Sequence, residues 1–138
     1  MTRPPFASSL LKRRLGAALF ALCAAPVQAQ VCGAGHGHRA ETESLAIAFT
    51  TAPPALAIGQ HFELHGQICV PAGRPLPATL RVDADMPAHR HGMNYRATTT
   101  LQSDGSFSSR GLLLHMPGRW RFIFDLGATR LSYELDVP

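Results

Sequence analysis

Lysine is almost absent from this sequence, since Lys12 is its only lysine. Beyond residue 29 the charged side chains balance: removing the four early basic residues from 13 leaves 9 Arg, against 9 Asp and Glu. That part of the chain therefore has no net charge. A neutral domain without lysine lacks the basic surface that nucleic-acid binding or attraction to a membrane requires.

A second long hydrophobic run is also missing. The run Leu15–Val27 has 13 residues, whereas a helix that crosses a bilayer needs about 20, so we predict no retained transmembrane segment. Basic residues precede this run and small residues follow it, which is the pattern of an export signal. We predict that residues 1–29 form a signal peptide and that the protein is periplasmic. Lipid modification at Cys23 is a weaker alternative, because Leu22 is larger than that processing usually requires.

Motifs of catalysis are missing as well. The sequence contains no Ser/His/Asp or Cys/His arrangement in a recognisable context and no Gly-rich phosphate loop. We therefore predict that the protein is not an enzyme. Asp83 and Asp85 flank a histidine-rich segment, but their strand parity points outward, and we expect them to form surface ion pairs with arginines.

Cysteine is scarce, and the positions of the three cysteines indicate one disulfide. Cys23 lies in the predicted signal, which leaves Cys32 and Cys69 in an exported protein, where disulfides persist. We expect these two residues to pair. A closed loop of about 38 residues stabilises a fold by at most about 4 kcal/mol. The alternative is that both serve as thiolate metal ligands.

The remaining sequence predicts a short tail and one β domain. Residues 30–44 are polar and Gly-rich without an apolar period, so we expect a flexible N-terminal tail. From residue 45 to 138, short apolar runs alternate with Pro, Gly and Asp clusters, which indicates an all-β domain. The clearest run is RWRFIFDL, where Trp120, Phe122 and Phe124 alternate with charged residues.

Seven strands follow from this pattern, and turn signals such as Ser103–Gly105 and Met116–Arg119 join them. Seven antiparallel strands of this length favour an immunoglobulin-like antiparallel sandwich. The predicted strands are Leu45–Thr50, His61–Val70, Thr79–Asp85, Met93–Leu101, Phe107–Met116, Arg119–Leu126 and Leu131–Val137.

Histidine and methionine are concentrated in two connections between these strands. Consecutive antiparallel strands run in opposite directions, so alternate connections meet at the same end of a sandwich. The connections after the third and fifth predicted strands should therefore converge, with Cys32 and Cys69 at the opposite end. The predicted cluster contains Met86, His89, His91, Met93, His115 and Met116, with His61 as a neighbour.

This residue chemistry favours copper. A thioether is a soft neutral donor and an imidazole a borderline one, so the mixture suits Cu(I) better than zinc, calcium or magnesium. On an extended segment His89, His91 and Met93 would face the same way. Metal binding requires neutral imidazoles, so it should weaken as the pH falls through about 6.

A purely structural interpretation competes with the metal site. Met86, Met93 and Met116 share the parity of core residues, so they can fill the end of the core, with or without binding metal. His61 and His65 lie on the outward parity of their strand, which favours solvated positions.

The segments VDADMPAHRHGMNY, SDGSF and GLLLHMPGRWRFIFDL resemble the YtkA-like and FixH-like group of exported β-sandwich domains. The resemblance covers roughly residues 45–137. It implies a setting in copper handling or in the assembly of respiratory or haem enzymes. The positions that match the family pattern are Met86, Pro87, His91, Gly92, Met93, His115, Met116, Pro117, Gly118 and Trp120. Unlike the FixH type, this sequence has no retained membrane helix.

Two functions remain open at this point. The first is a periplasmic copper carrier or accessory protein that uses the His/Met cluster. The second is a protein-interaction domain that docks on an exported respiratory or haem enzyme through the same end, with Arg90 in contact and no metal. The sequence leaves the oligomeric state open.

Overall fold

The structure is a computed structural model that describes Met1 and residues 32–138. Apart from Met1, the predicted signal peptide lies outside the described residues. Within residues 32–138 no helix has the length and hydrophobicity of a membrane span. The elements are β1 (His38–Glu41), β2 (Ala46–Ala52), β3 (His61–Cys69), β4 (Arg81–Met86), a 3-10 turn (Pro87–His89), β5 (His91–Gly92), β6 (Thr98–Leu101), β7 (Ser106–Leu113), β8 (Gly118–Leu126) and β9 (Thr129–Val137).

The strands form two antiparallel sheets, in the orders β1-β2-β3-β7-β6 and β5-β4-β8-β9, which confirms the all-β prediction. Every second residue of β8 faces inward, so Trp120, Phe122 and Phe124 are completely buried. From the facing sheet, the ring of Phe49 lies 6.0 Å from that of Phe122 and 5.1 Å from that of Phe124. The core of the sandwich is therefore an aromatic layer between the two sheets.

The structure has nine described strands rather than the seven predicted. β1 falls within the predicted tail and pairs with β2 from His38↔Phe49 to Glu41↔Ala46. Its two inward residues are the buried Ala40 and the half-buried His38, whose ring lies against Phe49 and Tyr133, so this short strand has no large apolar residue that would reveal a period. β6 begins at Thr98 rather than Met93, because residues 93–97 carry the chain from one sheet to the other.

Cys32 and Cys69 form the predicted disulfide, with their Cα atoms 5.7 Å apart. The alternative of two thiolate ligands is therefore wrong for this structure. Cys69 ends β3, whereas His61 begins it and pairs with Leu113 near the end of β7. A nine-residue strand is about 26 Å long, so the disulfide lies at the opposite end from the β7–β8 connection, as predicted.

The outer face of the β5-β4-β8-β9 sheet is covered by ion pairs. Arg121 donates two hydrogen bonds to Asp85, at 2.9 and 2.7 Å, and Arg81 contacts Asp83 at 3.2 Å. The predicted surface pairing of both aspartates is confirmed. Asp125 accepts hydrogen bonds from Arg130 at 2.5 and 3.2 Å and lies 3.5 Å from Arg81.

Replacing Asp125 should make the fold less stable at neutral pH. The hydrogen bond from Arg130 lowers the pKa of Asp125; partial burial opposes this, and the charges of Arg130 and Arg81 add to it. We expect Asp125→Asn to lower the free energy of unfolding by about 0.5–1 kcal/mol at pH 7, since most of the Arg130 side chain is exposed. The contribution is complete above about pH 4 and is lost as the pH falls through the lower pKa of the folded state.

Urea unfolding at pH 7 and near pH 2 measures this effect. Glu43→Gln is the control, because Glu43 is exposed and has no ion pair among the described residues. An Asp125→Asn deficit that is equally large at both pH values would contradict the assigned cause.

Candidate metal centre

Two connections bring their histidines together at one end of the sandwich, as predicted. His91 begins β5, immediately after the turn that leaves β4, and His115 lies in the connection between β7 and β8. Their ring centroids are 5.1 Å apart. The preceding Leu114 is buried, and its carbonyl accepts a hydrogen bond of 2.8 Å from the Gly59 backbone N–H. The β7–β8 connection is thus fixed just before His115.

The local backbone separates His89 from His91. Residues 87–89 form a 3-10 turn, and Arg90 follows with φ 54° and ψ 34°, in the left-handed region. For a residue with a Cβ this conformation costs about 1–2 kcal/mol. The segment from His89 to His91 is therefore not extended, as the prediction assumed, and His89 is exposed while His91 is half-buried. Their ring centroids remain 5.8 Å apart.

Trp120 forms the inner wall of the imidazole pair. Its ring lies 5.4 Å from that of His115, at 80°, and 6.2 Å from that of His91, at 71°. The indole N–H donates a 2.9 Å hydrogen bond to the carbonyl of Met116. Trp120 is a core residue, as predicted, and it also holds the β7–β8 connection against the pair. The spacing of HMPGRW could have indicated this second role, because the Pro-Gly bend returns Trp120 toward Met116.

The imidazole pair contains two buried nitrogen atoms without a hydrogen-bond partner. These atoms are Nε2 of His91 and Nδ1 of His115. A buried polar atom left unpaired costs about 1–3 kcal/mol, so each such atom requires an explanation. Nδ1 of His36 is also unpaired, but His36 stacks on no other ring among the described residues. The distinctive feature is the proximity of two unpaired imidazoles.

Met86 is the thioether best placed to join the pair. Met86 and His91 are directly opposite each other in the β4–β5 register, so their side chains lie on the same face. Met86 is only 1% exposed. Gly118 has φ +127°, and a Cβ built on it would lie 2.9 Å from Cε of Met86, so this glycine allows the methionine to lie beneath the start of β8.

The other two predicted methionines lie differently. Met116 is half-buried against the core, and its backbone carbonyl accepts the Trp120 hydrogen bond. Met93 lines a cleft of about 350 Å³ together with Asp83, Tyr95 and Arg96, and no histidine lines that cleft. The Met93 backbone N–H donates a 3.0 Å hydrogen bond to the carbonyl of Ala84, so Met93 lies beside β4, two residues after His91.

The remaining histidines of this region do not extend the pair. His61 is exposed, and its ring lies 5.5 Å from that of Tyr95. His65 lies 3.2 Å from Glu63 on the outer face of β3. Their outward placement agrees with the parity of this strand.

The donor set contains two imidazoles rather than three. Among residues 32–138, no three side chains of His, Cys, Asp or Glu are close enough to hold one metal ion together. The predicted set of His89, His91 and His115 is therefore not assembled as a single group. An imidazole nitrogen binds metal at about 2.0 Å, so two imidazoles on one ion have centroids at most about 6 Å apart, and the His91–His115 separation of 5.1 Å fits this limit.

Comparisons with known proteins give no match to a protein family, a curated protein or a solved structure. The resemblance to the YtkA-like and FixH-like group therefore stays a prediction.

Proposed function

We propose that this chain is an exported periplasmic copper carrier or accessory protein that binds Cu(I) through His91 and His115, with Met86 as a third donor. One observation carries the proposal: two adjacent imidazoles each have a buried nitrogen without a partner, next to a buried thioether. Coordination of one ion by both nitrogens would satisfy them together.

The choice of metal follows from the donors. Two neutral imidazoles and a thioether suit soft Cu(I), whereas structural zinc sites take four ligands, usually from Cys and His. Met116 remains a predicted additional thioether, whereas His89 is exposed and does not form one group with His91 and His115. In this proposal Met93 is a core and cleft residue rather than a ligand.

The proposed location and family setting have separate support. The pattern of residues 1–29 and the Cys32–Cys69 disulfide both agree with export to an oxidising compartment. The strand orders β2-β3-β7-β6 and β5-β4-β8-β9 correspond to the two sheets of an immunoglobulin-like sandwich, with β1 added at one edge. A client among exported respiratory or haem enzymes is the partner that the family resemblance implies.

A Cu(I) competition titration tests the metal site. We expect the wild-type protein to bind one equivalent with sub-micromolar affinity, and the double variant His91→Ala, His115→Ala to bind at least about 100-fold more weakly. The single tryptophan, Trp120, gives a second readout, because its ring contacts both histidines and its fluorescence should change on binding.

The matched control is the double variant His61→Ala, His65→Ala, which removes two imidazoles on the outer face of β3 that stack on neither His91 nor His115 among the described residues. It should bind copper like the wild type. Met86→Leu keeps the volume of the core residue and should weaken Cu(I) binding by removing the thioether. If the wild-type protein and the His91, His115 variant bind copper equally weakly, the metal proposal is wrong, and the alternative of a docking surface for a protein partner at the same end is the one to test next.

A further inference from the structure

β9 provides a long free edge. It pairs with β8 over nine consecutive positions, from Gly118↔Val137 to Leu126↔Thr129, without a register shift. In the described sheets β9 is an edge strand without a second hydrogen-bonded neighbour, although β1 of the other sheet lies close to it through His38 and Tyr133. The other edges in this part of the chain, β1, β5 and β6, have only four, two and four residues.

Such an edge normally carries protection against pairing with another chain. Proteins shorten their edge strands, place charged side chains, especially lysine, or proline on them, or interrupt them with bulges. β9, with the sequence TRLSYELDV, is long and has no lysine, proline or bulge, and its only protection is three charged residues of both signs. Its charged side chains are arranged in a way that allows self-pairing instead.

We propose that two copies of the chain pair antiparallel through β9, with the twofold axis at Tyr133. In this register Arg130 lies opposite Asp136 of the second copy, and Ser132 lies opposite Glu134. The two-residue turn between β8 and β9 directs the backbone groups of odd-numbered residues toward β8. The backbone groups of the even-numbered residues therefore point to the free edge, where this register pairs them with the even-numbered residues of the second copy. These residues are Arg130, Ser132, Glu134 and Asp136.

The charges alternate across the proposed junction. Within one copy, Arg81 pairs with Asp125, and Asp125 with Arg130, in the sheet register. In the second copy, Asp136 pairs with Arg119, with a closest contact of 3.1 Å. With Arg130 of one copy opposite Asp136 of the other, one row of side chains crosses five strands. Its members are, in order, Arg81, Asp125 and Arg130 of the first copy and Asp136 and Arg119 of the second, so each charge has only opposite charges beside it in the row. Opposite charges on facing strands stabilise pairing, and like charges oppose it.

The inner face of β9 is complementary too. Leu131 is buried, while Tyr133 and Leu135 are half-buried and pack against the core. The Tyr133 hydroxyl forms a 3.0 Å hydrogen bond with Nδ1 of His38, which holds this side chain at the sandwich edge. The twofold register places Leu131 opposite Leu135 of the second copy and Tyr133 opposite its equivalent. The apolar row would therefore continue from one copy into the other.

Two charge-reversal variants test this interface by sedimentation equilibrium. Arg130→Asp and Asp136→Arg, each alone, place like charges opposite each other in a homodimer, so each should raise the dissociation constant at least about 10-fold. A mixture of the two variants restores both opposite-charge contacts and should form heterodimers. Arg110→Asp, on β7 away from this edge, is the control and should dimerise like the wild type.

A second variant addresses the backbone contacts directly. Ser132→Pro removes an N–H that points to the free edge, and proline is tolerated there in an edge strand. It should yield a folded monomer, as judged by a thermal unfolding midpoint near that of the wild type. The proposal is overturned if the wild-type protein is monomeric at about 100 μM, or if the mixed charge variants do not associate. Both readouts are independent of copper binding.

Discussion

Trp120→Ala is expected to lower the free energy of unfolding by about 3–5 kcal/mol, the range for large aromatic residues removed from a core. Trp120 is completely buried, so its removal leaves a cavity between the sheets. The carbonyl of Met116 also loses its 2.9 Å hydrogen bond from the indole. Urea unfolding measures the loss. Because the indole also forms the wall behind His91 and His115, we expect Cu(I) affinity to fall about 10-fold.

Phe124→Ala is the matched control for Trp120→Ala. Phe124 is equally buried in the same strand, but its ring packs on Phe49 and Phe107, away from the imidazole pair. Both variants should lose similar stability, and only the Trp120 variant should lose copper affinity, measured by competition with a chelator. A stability loss below about 1 kcal/mol for Trp120→Ala, or equal copper affinities for the two variants, would contradict this assignment.

Much of this fold could be predicted from the sequence, because its long strands have one buried face. In β8 every second residue from Trp120 to Leu126 is apolar and buried, so a two-residue period is easily recognised. Antiparallel connectivity then determines which connections share an end. The same reasoning predicted the convergence of His91 and His115 and the opposite position of the Cys32–Cys69 disulfide.

The short elements could not be predicted in this way. β1 depends on pairing with β2 rather than on a pattern of its own, since Ala40 is its only buried residue. Arg90 occupies a left-handed conformation that side chains with a Cβ rarely adopt, and no residue type in AHRHG requires it. This one backbone angle exposes His89 while His91 turns inward.

The sequence alone could not distinguish the three predicted thioether donors. Strand parity predicted that the side chains of Met86, Met93 and Met116 all point inward. In the structure Met86 is almost completely buried directly opposite His91, whereas Met93 is half-buried and lines a cleft with Asp83 and Tyr95. Parity predicts the face on which a side chain lies, but not what it contacts there.

Removal of the disulfide is the second change with a large expected effect. The double variant Cys32→Ser, Cys69→Ala should lower the free energy of unfolding by about 3–4 kcal/mol, since the bridge joins residues separated by 37 positions. The bridge also ties down β1, a four-residue edge strand whose Arg39 donates a 3.3 Å hydrogen bond to the Cys32 carbonyl. Urea unfolding measures the change, and hydrogen exchange of the β1 amides should accelerate more than that of β8.

Reduction of the wild-type protein by a thiol reagent provides the control, because it breaks the bridge without changing any side-chain volume. The reduced protein and the double variant should then have similar stabilities, and the reagent should leave the variant unchanged. A loss below about 1 kcal/mol in both cases would show that β1 is held mainly by its pairing with β2 and by the His38–Tyr133 hydrogen bond. A loss of the expected size is a large fraction of the total stability of a domain of this length, so much of that stability would depend on an oxidising environment. Such a dependence agrees with the proposed export.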